Sequence, residues 1–488
     1  MFFVVFLKFK IYFGGKMIYF WICLVSLLFI IWSYPFIKTY QLSGYNIPQF
    51  FDSVLSFNLS FGDKSKLNFT KRMLRFIALY SIIAIGLIFV ILFCLNNIWL
   101  IILDLALMFF LQSFVLTFVH FILLPLELLI KRYYIFRAKK LLAKKKIIKI
   151  GITGSYGKTS TKNILTHLLE KQYKVCATPK NYNTEMGLTK TILGCLDDHD
   201  IFVAEMGARH KGDIKILTDI VHPDYAIITT IGAQHLETFK TLENIEETKF
   251  QLAEGVSRNG IVIFNGDSTS TRKLYDQYKG EKYLTCSEKS YSYAENIEIS
   301  SKGSKFDLIL DGKRLNVQTR LLGKCNINNI VTACALAHIL GITDDDIVSA
   351  IKSLPLTPHR LEILKNEYCT IIDDSYNSNI IGSKEAMEVL SSFDGVKIVV
   401  TPGIVELGDE QSQANFKLGT YIADVADYLI IMNDVNKNEL FSGAISHNFR
   451  REQIFFAQTR KRQTEILQRL TCKDCVVLFE NDLPDNYK

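Results

Sequence analysis

The 488-residue chain is poor in charge, in repetition and in paired cysteines. Charged residues make up 22% of it and hydrophobic residues 49%, which is apolar for a soluble enzyme. Much of the net charge of +7 is gathered at 131–149, so the remainder is near neutral. That balance argues against a nucleic-acid-binding protein. No short-period repeat and no long low-complexity segment is present. The ten cysteines are scattered, several in apolar runs such as ILFCLNN and TACALAH. They form no secreted disulfide framework and read as reduced, buried thiols of a cytosolic compartment. Cys472 and Cys475 make a lone C-x-x-C with no second pair and no His-x-x-x-His, too few ligands for zinc. The length exceeds one ordinary core, so two or three domains are expected.

The apolar residues concentrate before residue 131. Three runs, at about 17–37, 76–95 and 98–126, each approach the ~20 residues that cross a hydrocarbon core. The first carries no charge, and the third is interrupted only by Asp104 and His120. They predict a region of about three transmembrane helices over 1–130. The basic segment KRYYIFRAKKLLAKKK that follows predicts a cytoplasmic exit and contact with membrane lipid. Lys38, Lys64, Lys66, Lys71 and Arg72 place the 38–72 loop on the same side. Lys8, Lys10 and Lys16 fall on the opposite side unless the chain starts at Met17. The expected placement is the inner membrane, multi-pass, with the catalytic part in the cytoplasm.

From Ile147 the pattern changes to short β-rich runs (IIKIGIT, FVAEMG, YAIITTIG, GIVIFNGD) alternating with helical stretches at 158–171, 211–220 and 244–256. Such alternation predicts an α/β domain with a mainly parallel sheet. Residues 297–322 read as antiparallel strands with Lys-Gly and Asp-Gly turns. Helices at 326–340 and 344–353 close this unit. The prolines of LPLTPHRLE mark a linker. Alternation then restarts with TIIDDSY, KIVVTPG, YLIIM, QIFFAQ and VVLFEN, a second α/β domain. The predicted domains are therefore 147–353 and 354–488.

The strand IIKIGIT runs into GSYGKTS and then a helix starting near Lys158. Such a loop turns backbone N–H groups toward phosphate oxygens, and the helix N-terminus adds positive potential. Gly154, Ser155, Tyr156, Gly157, Lys158, Thr159 and Ser160 are the expected nucleotide-binding residues. Lys158 would reach the β- and γ-phosphates and Thr159 would ligate Mg²⁺. The general pattern G-x-x-x-x-G-K-[ST] fails at Ile152, while the narrower T-G-x-x-G-K-T fits.

That variant resembles the Mur ligase family, the ATP-dependent amide ligases of peptidoglycan synthesis. The likeness continues through TPKNYNTEMGLTKTIL, FVAEMGARHKGDI, IGAQHLETF, EETKFQLAEG, FNGD, LLGKCNINNIVTA, PHRLEIL, IDDSYNSN and GIVELGDE, over roughly 147–410. FVAEMGARHKGDI is similar to the branch that adds D-alanyl-D-alanine. The resemblance implies a P-loop-type ATPase domain followed by a Rossmann-like α/β domain, with ATP and Mg²⁺ as cofactors. It makes Glu205, at a strand end facing the loop, a carboxylate that holds Mg²⁺ between phosphates, His235 a second metal ligand and Lys249 a carbamylated lysine, whose anion holds a second Mg²⁺. It places Asn326 on adenine, Arg360 on the γ-phosphate, and Asp374 and Tyr376 on the nucleotide as the last domain closes. Asn183 and Thr184 match the loop that lines the substrate side. Two departures stand out. Cys325 replaces the family's His before the Asn, and apolar sequence with a short loop stands where the family has a small UDP-gripping domain.

The implied activity joins D-Ala-D-Ala to a UDP-MurNAc-peptide through an acyl phosphate. The partners are then the peptidoglycan precursor, the dipeptide and other cell-wall enzymes. The alternatives are a membrane-anchored ligase for another, lipid-linked carboxylate and a non-catalytic ATP-binding membrane scaffold.

Overall fold

The computed structural model describes residues 31–483, except 57–58, 60–66, 95–97, 181, 197, 366–368, 377 and 473. The chain divides into two compact units, 1–133 with 488 and 134–487.

The N-terminal unit is helical, with a helical segment at 31–42 and helices Ile47–Leu55, Lys71–Cys94 and Ile98–Lys144, the last running on beyond 133. Phe36, Tyr40, Met73, Phe76, Tyr80, Leu116 and Val119 are buried together. Polar pairs lie among them. Arg75 grips Glu127 through two nitrogens at 2.8 Å each, and Ser33 meets Tyr80 at 2.7 Å. The expectation of three crossings, and with it of a multi-pass inner-membrane protein, is overturned. Among the described residues one helix, Leu111–Lys144, is long and apolar enough to cross a membrane. The 76–95 run starts one turn into a helix that opens on Lys71, Arg72 and Arg75, and it buries the stripe Phe76, Tyr80 and Ala84 on its neighbours. The 98–126 run has no end at 126. Its helix passes through Pro125 into the basic segment, so apolar and basic stretches form one element. Most of the 17–37 run, the LNN turn at 95–97, and Lys8, Lys10, Lys16, Lys64 and Lys66 lie outside the described residues.

The second unit holds two sheets. The first has nine strands in the order β2-β3-β1-β4-β5-β6-β7-β8-β9. These are β1 Ile148–Thr153, β2 Val175–Ala177, β3 Ile201–Glu205, β4 Tyr225–Ile228, β5 Ile261–Asn265, β6 Glu281–Thr285, β7 Ser292–Ser300, β8 Gly303–Leu310 and β9 Lys313–Thr319. Pairing is parallel from β2 to β7 and antiparallel from β7 to β9. All five residues of β3 are buried, as expected for a parallel strand covered on both faces. The expected helices of this region lie within two residues of those found: Lys158–Leu169, Asp213–Val221, Leu242–Glu254, Lys324–Ile339 and Asp344–Lys352.

The second sheet has six strands in the order β10-β11-β15-β12-β13-β14. They are β10 Glu362–Lys365, β11 Cys369–Asp374, β12 Lys397–Thr401, β13 Tyr428–Met432, β14 Ile454–Ala457 and β15 Cys475–Glu480. Only β10 runs antiparallel, at the edge. The end of the linker expected at LPLTPHRLE is thus the start of a strand.

β1 lies between β3 and β4, so the chain leaves the sheet centre toward both sides. The crevice at such a switch point, outside the carboxyl ends of the strands, is where open α/β sheets place ligands. The loops after β1, β3 and β4 share that rim.

Candidate active site

The loop after β1 is fixed by the loop after β4. Ser155 and Tyr156 donate their N–H groups to the Thr230 carbonyl at 2.9 and 3.2 Å. Thr229 Oγ1 donates to the Tyr156 carbonyl at 2.6 Å. Gly154 sits at φ +151°, and a Cβ there would stand 1.9 Å from Thr229 Oγ1. Gly157, at φ +79°, would press its Cβ to 2.4 Å from Asn329 Oδ1. Glycine is required at both positions by close approach and backbone angle together. Because Ser155 and Tyr156 spend their N–H groups on Thr230, the anion-facing donors are those of the next turn. Gly157 caps the Lys158–Leu169 helix with no side-chain hydrogen bond. The N–H groups of Lys158, Thr159 and Ser160 therefore have no carbonyl one turn back, and they face the rim with the positive end of the helix dipole.

Lys158 Nζ folds back onto the carbonyls of Gly154 and Ser155, 2.7 Å from each. Burial pushes its pKa down to about 8, against the pull of Glu205 and with added repulsion from Arg360. Glu205, at the end of β3, is 1% exposed. Its Oε1 accepts from Asn183 Nδ2 at 3.1 Å. Its Oε2 has no hydrogen-bond partner, although Lys162 Nζ stands at an ion-pair distance of 3.5 Å. His235 follows β4 in a left-handed backbone conformation, φ 54°. Its Nδ1 contacts a carboxylate oxygen of Glu406, from the loop after β12. That contact draws the Glu406 pKa below the usual carboxylate range. Among the described residues no partner is found for His235 Nε2.

A cavity of about 400 Å³ joins these groups. Ser155, Tyr156, Gly157, Lys158, Thr159, Asn183, Thr184, Glu205 and His235 line it from the first sheet, and Arg360 and Tyr376 from the second half of the unit. The Arg360 guanidinium lies 4.4 Å from the centre of the Tyr376 ring. Thr184 also caps the helix Glu185–Cys195.

Five expected residues lie off the cavity wall. Gly154 shapes the loop from behind. Ser160 is buried in the first turn of its helix. Asn326 is buried and gives Nδ2 to the Leu322 carbonyl at 2.8 Å. Asp374, at the end of β11, accepts from Leu361 N at 3.2 Å, and burial raises its pKa to about 7 against the opposing charge of Arg360. Lys249 is 2% exposed on the helix Leu242–Glu254. Its pKa is driven well below the usual lysine range by burial and then by Lys158, and it makes no hydrogen bond or ion pair among the described residues.

Sequence reasoning passed over several neighbours. Lys162 is buried one turn after Lys158 and holds the carbonyls of Thr178 and Lys180 at 2.7 and 2.9 Å. The i, i+4 spacing from Lys158 was the available signal. Arg209, His210, Asp213, Gln234, Ser378 and Asn379 line the cavity as well. All are charged, amide- or hydroxyl-bearing residues of motifs already noted, and Gln234 immediately precedes His235.

The wall suits a hard divalent cation. It offers a buried carboxylate oxygen that accepts no hydrogen bond, a helix-terminal threonine, a histidine with a free Nε2, and, behind them, a lysine whose pKa burial drives down.

Residues 152–337 match the Mur ligase middle domain. The chain is 29% identical over 335 residues to the UDP-N-acetylmuramoyl-tripeptide–D-alanyl-D-alanine ligase of Bacillus subtilis, covering 68% of this chain and 72% of that protein. It is 33% identical over 299 residues to the ligase of the same name from Buchnera aphidicola, covering 60% of this chain and 62% of that one. Among solved structures it is similar to MurF ligase from Thermotoga maritima in complex with ADP, with a TM-score of 0.66, 26% identity and coverage of 72% of this chain and 80% of that one. MurF from Acinetobacter baumannii gives a TM-score of 0.66 at 25% identity, covering 72% and 77%.

Proposed function

We propose that the chain is a Mur ligase, an ATP-dependent amide ligase joining D-alanyl-D-alanine to the terminal carboxylate of a UDP-MurNAc-tripeptide. The observation that carries this reading is the cavity in which the loop lysine, Glu205 and His235 of one sheet meet Arg360 and Tyr376 of the other half. Residues 147–353 form the ATP-binding domain, and 354–488 the domain that closes on it.

The substrate carboxylate attacks the γ-phosphorus of ATP, giving an acyl phosphate and ADP. The dipeptide amine then attacks the acyl carbon. The tetrahedral intermediate collapses to amide and inorganic phosphate, and the amine proton leaves to a base. Little covalent chemistry falls to the protein, so its work is positioning and charge stabilisation. Lys158 leaves its loop carbonyls for the phosphates, where the gained anion stabilises its charged form. Arg360 meets the γ-phosphate from the opposite wall, held over Tyr376. Asn183 and Thr184 face the peptide side, and Asn326 serves the adenine end.

Mg²⁺ would be held by Thr159 and Glu205, and a second ion by His235 and Lys249, and it would neutralise charge building on the phosphate oxygens. Lys249 serves this only after modification. Its depressed pKa favours the free amine, which adds to CO₂ to give a carbamate and one proton. The product is an anion where an ammonium would repel a cation.

Neither the lipid-linked substrate nor the non-catalytic scaffold gains an observation of its own. The reading is tested by mass analysis after supplying ATP, Mg²⁺, UDP-MurNAc-tripeptide and D-Ala-D-Ala. The expected products are the pentapeptide precursor with ADP and phosphate in equal amounts. ATP hydrolysis without amide product would refute it.

A further inference from the structure

Glu406 lies in the loop after β12, within GIVELGDE, and nothing in the phosphate chemistry above requires it. It holds a left-handed backbone conformation, φ 64°. Its carboxylate reaches across to His235, in the loop after β4 of the other sheet. Both side chains are about one-fifth exposed, 18% for His235 and 21% for Glu406. A surface ion pair would contribute little. This one joins the two halves of the unit at the cavity wall, and it occupies the ring nitrogen that faces away from ligand duty.

A carboxylate at Nδ1 fixes the imidazole tautomer. The proton stays on Nδ1, and the lone pair is left on Nε2. It also fixes the ring plane. We propose that Glu406 is a positioning residue that orients His235 for a divalent cation, and that it does so only when the six-stranded sheet is apposed to the nine-stranded one. Closure of the two halves thereby completes the cation site as well as covering the nucleotide. The inference rests on the ligase reading for the identity of the ion. Its test is a binding measurement that stands without ligation.

Mn²⁺ binding to the full chain in the presence of ADP, followed by electron paramagnetic resonance, reads the site directly. Glu406→Ala should weaken the His235-dependent Mn²⁺ by roughly 10–100-fold, the usual cost of losing such an outer partner. Glu406→Gln keeps an acceptor for Nδ1–H and should recover most of the affinity. Glu406→Asp keeps the charge and disturbs the loop least, but it falls short of Nδ1 and should bind as weakly as the alanine variant. In a His235→Ala background, Glu406→Ala should have no further effect. Wild-type Mn²⁺ affinity in Glu406→Asp, or an undiminished loss in the His235→Ala background, would overturn the proposal. Failure of the wild-type chain to form amide would instead count against the ligase reading and leave the Mn²⁺ result to judge Glu406.

Discussion

The two sheets of residues 134–487 reach one cavity by different means. The nine-stranded sheet delivers its groups from three neighbouring strand ends: the loop of β1, Glu205 of β3 and His235 after β4. Buried parallel strands hold each of them, and hydrogen bonds tie the loop at 153–156 to the loop at 229–233. The six-stranded sheet sends Arg360 from before β10 and Tyr376 from after β11 to the cavity, and Glu406 from after β12 to His235, and Tyr376 is 44% exposed. One side is preorganised for phosphate. The other supplies groups whose effect depends on apposition. Substitutions in the first should abolish turnover, and substitutions in the second should tune it.

The contrast breaks most sharply at Lys158. Lys158→Ala removes the charge that moves from the loop carbonyls to the phosphates, while Gly154, Gly157 and Thr229 still shape the loop. Removing one preorganised charge-stabilising group costs about 10²–10³ in kcat. ATP turnover should fall by at least that factor with an unchanged melting curve. Turnover within tenfold of wild type would remove Lys158 from the site.

Lys249 sharpens the contrast inside the first sheet, because it acts from behind the wall. Lys249→Ala should lower ligation by about 10²-fold and leave ADP affinity within a few-fold, since the phosphate loop is untouched. Acetate or bicarbonate should restore part of the activity by filling the anion position. Lys249→Arg cannot form the carbamate and should stay inactive. Full activity in the arginine variant would show that positive charge suffices and would end the carbamate reading.

The same difference explains what was legible in the sequence. Lys158 and Thr159 sit where a strand pattern meets a glycine turn, so spacing alone marked them, while Glu205 and His235, at neighbouring strand ends, took their roles from the family resemblance. Arg360 and Tyr376 needed family resemblance, because only long-range packing brings their loops to the cavity. Glu406 stayed silent within its motif, since its partner is 171 residues away. Lys162 was passed over, because burial against Glu205 cannot be seen in a one-dimensional pattern. The apolar N-terminal runs misled by composition. Length and hydropathy do not register that Arg75 pairs with Glu127, or that the third run continues as helix into basic sequence.

The smallest expected effect lies at Asp374, in the half that closes. Its carboxyl is buried beside Arg360, and its pKa is raised to about 7. An unfolded aspartate ionises near 3.9. Between those values the folded chain holds a proton that the unfolded chain has released. Stability therefore falls as pH rises toward 7 and levels off above it. Asp374→Asn keeps the shape of the protonated form and has nothing to ionise. The variant should come closest to wild type below pH 4, lead it already at pH 5 and lead it by most at pH 8, with a melting-temperature gap of about 2–4 °C for each kcal/mol released. A gap that stays constant from pH 5 to 8 would mean that Asp374 is already ionised in the fold, held so by Arg360. The second sheet would then present a standing ion pair to the nucleotide, and its contribution to the cavity would be as preorganised as that of the first.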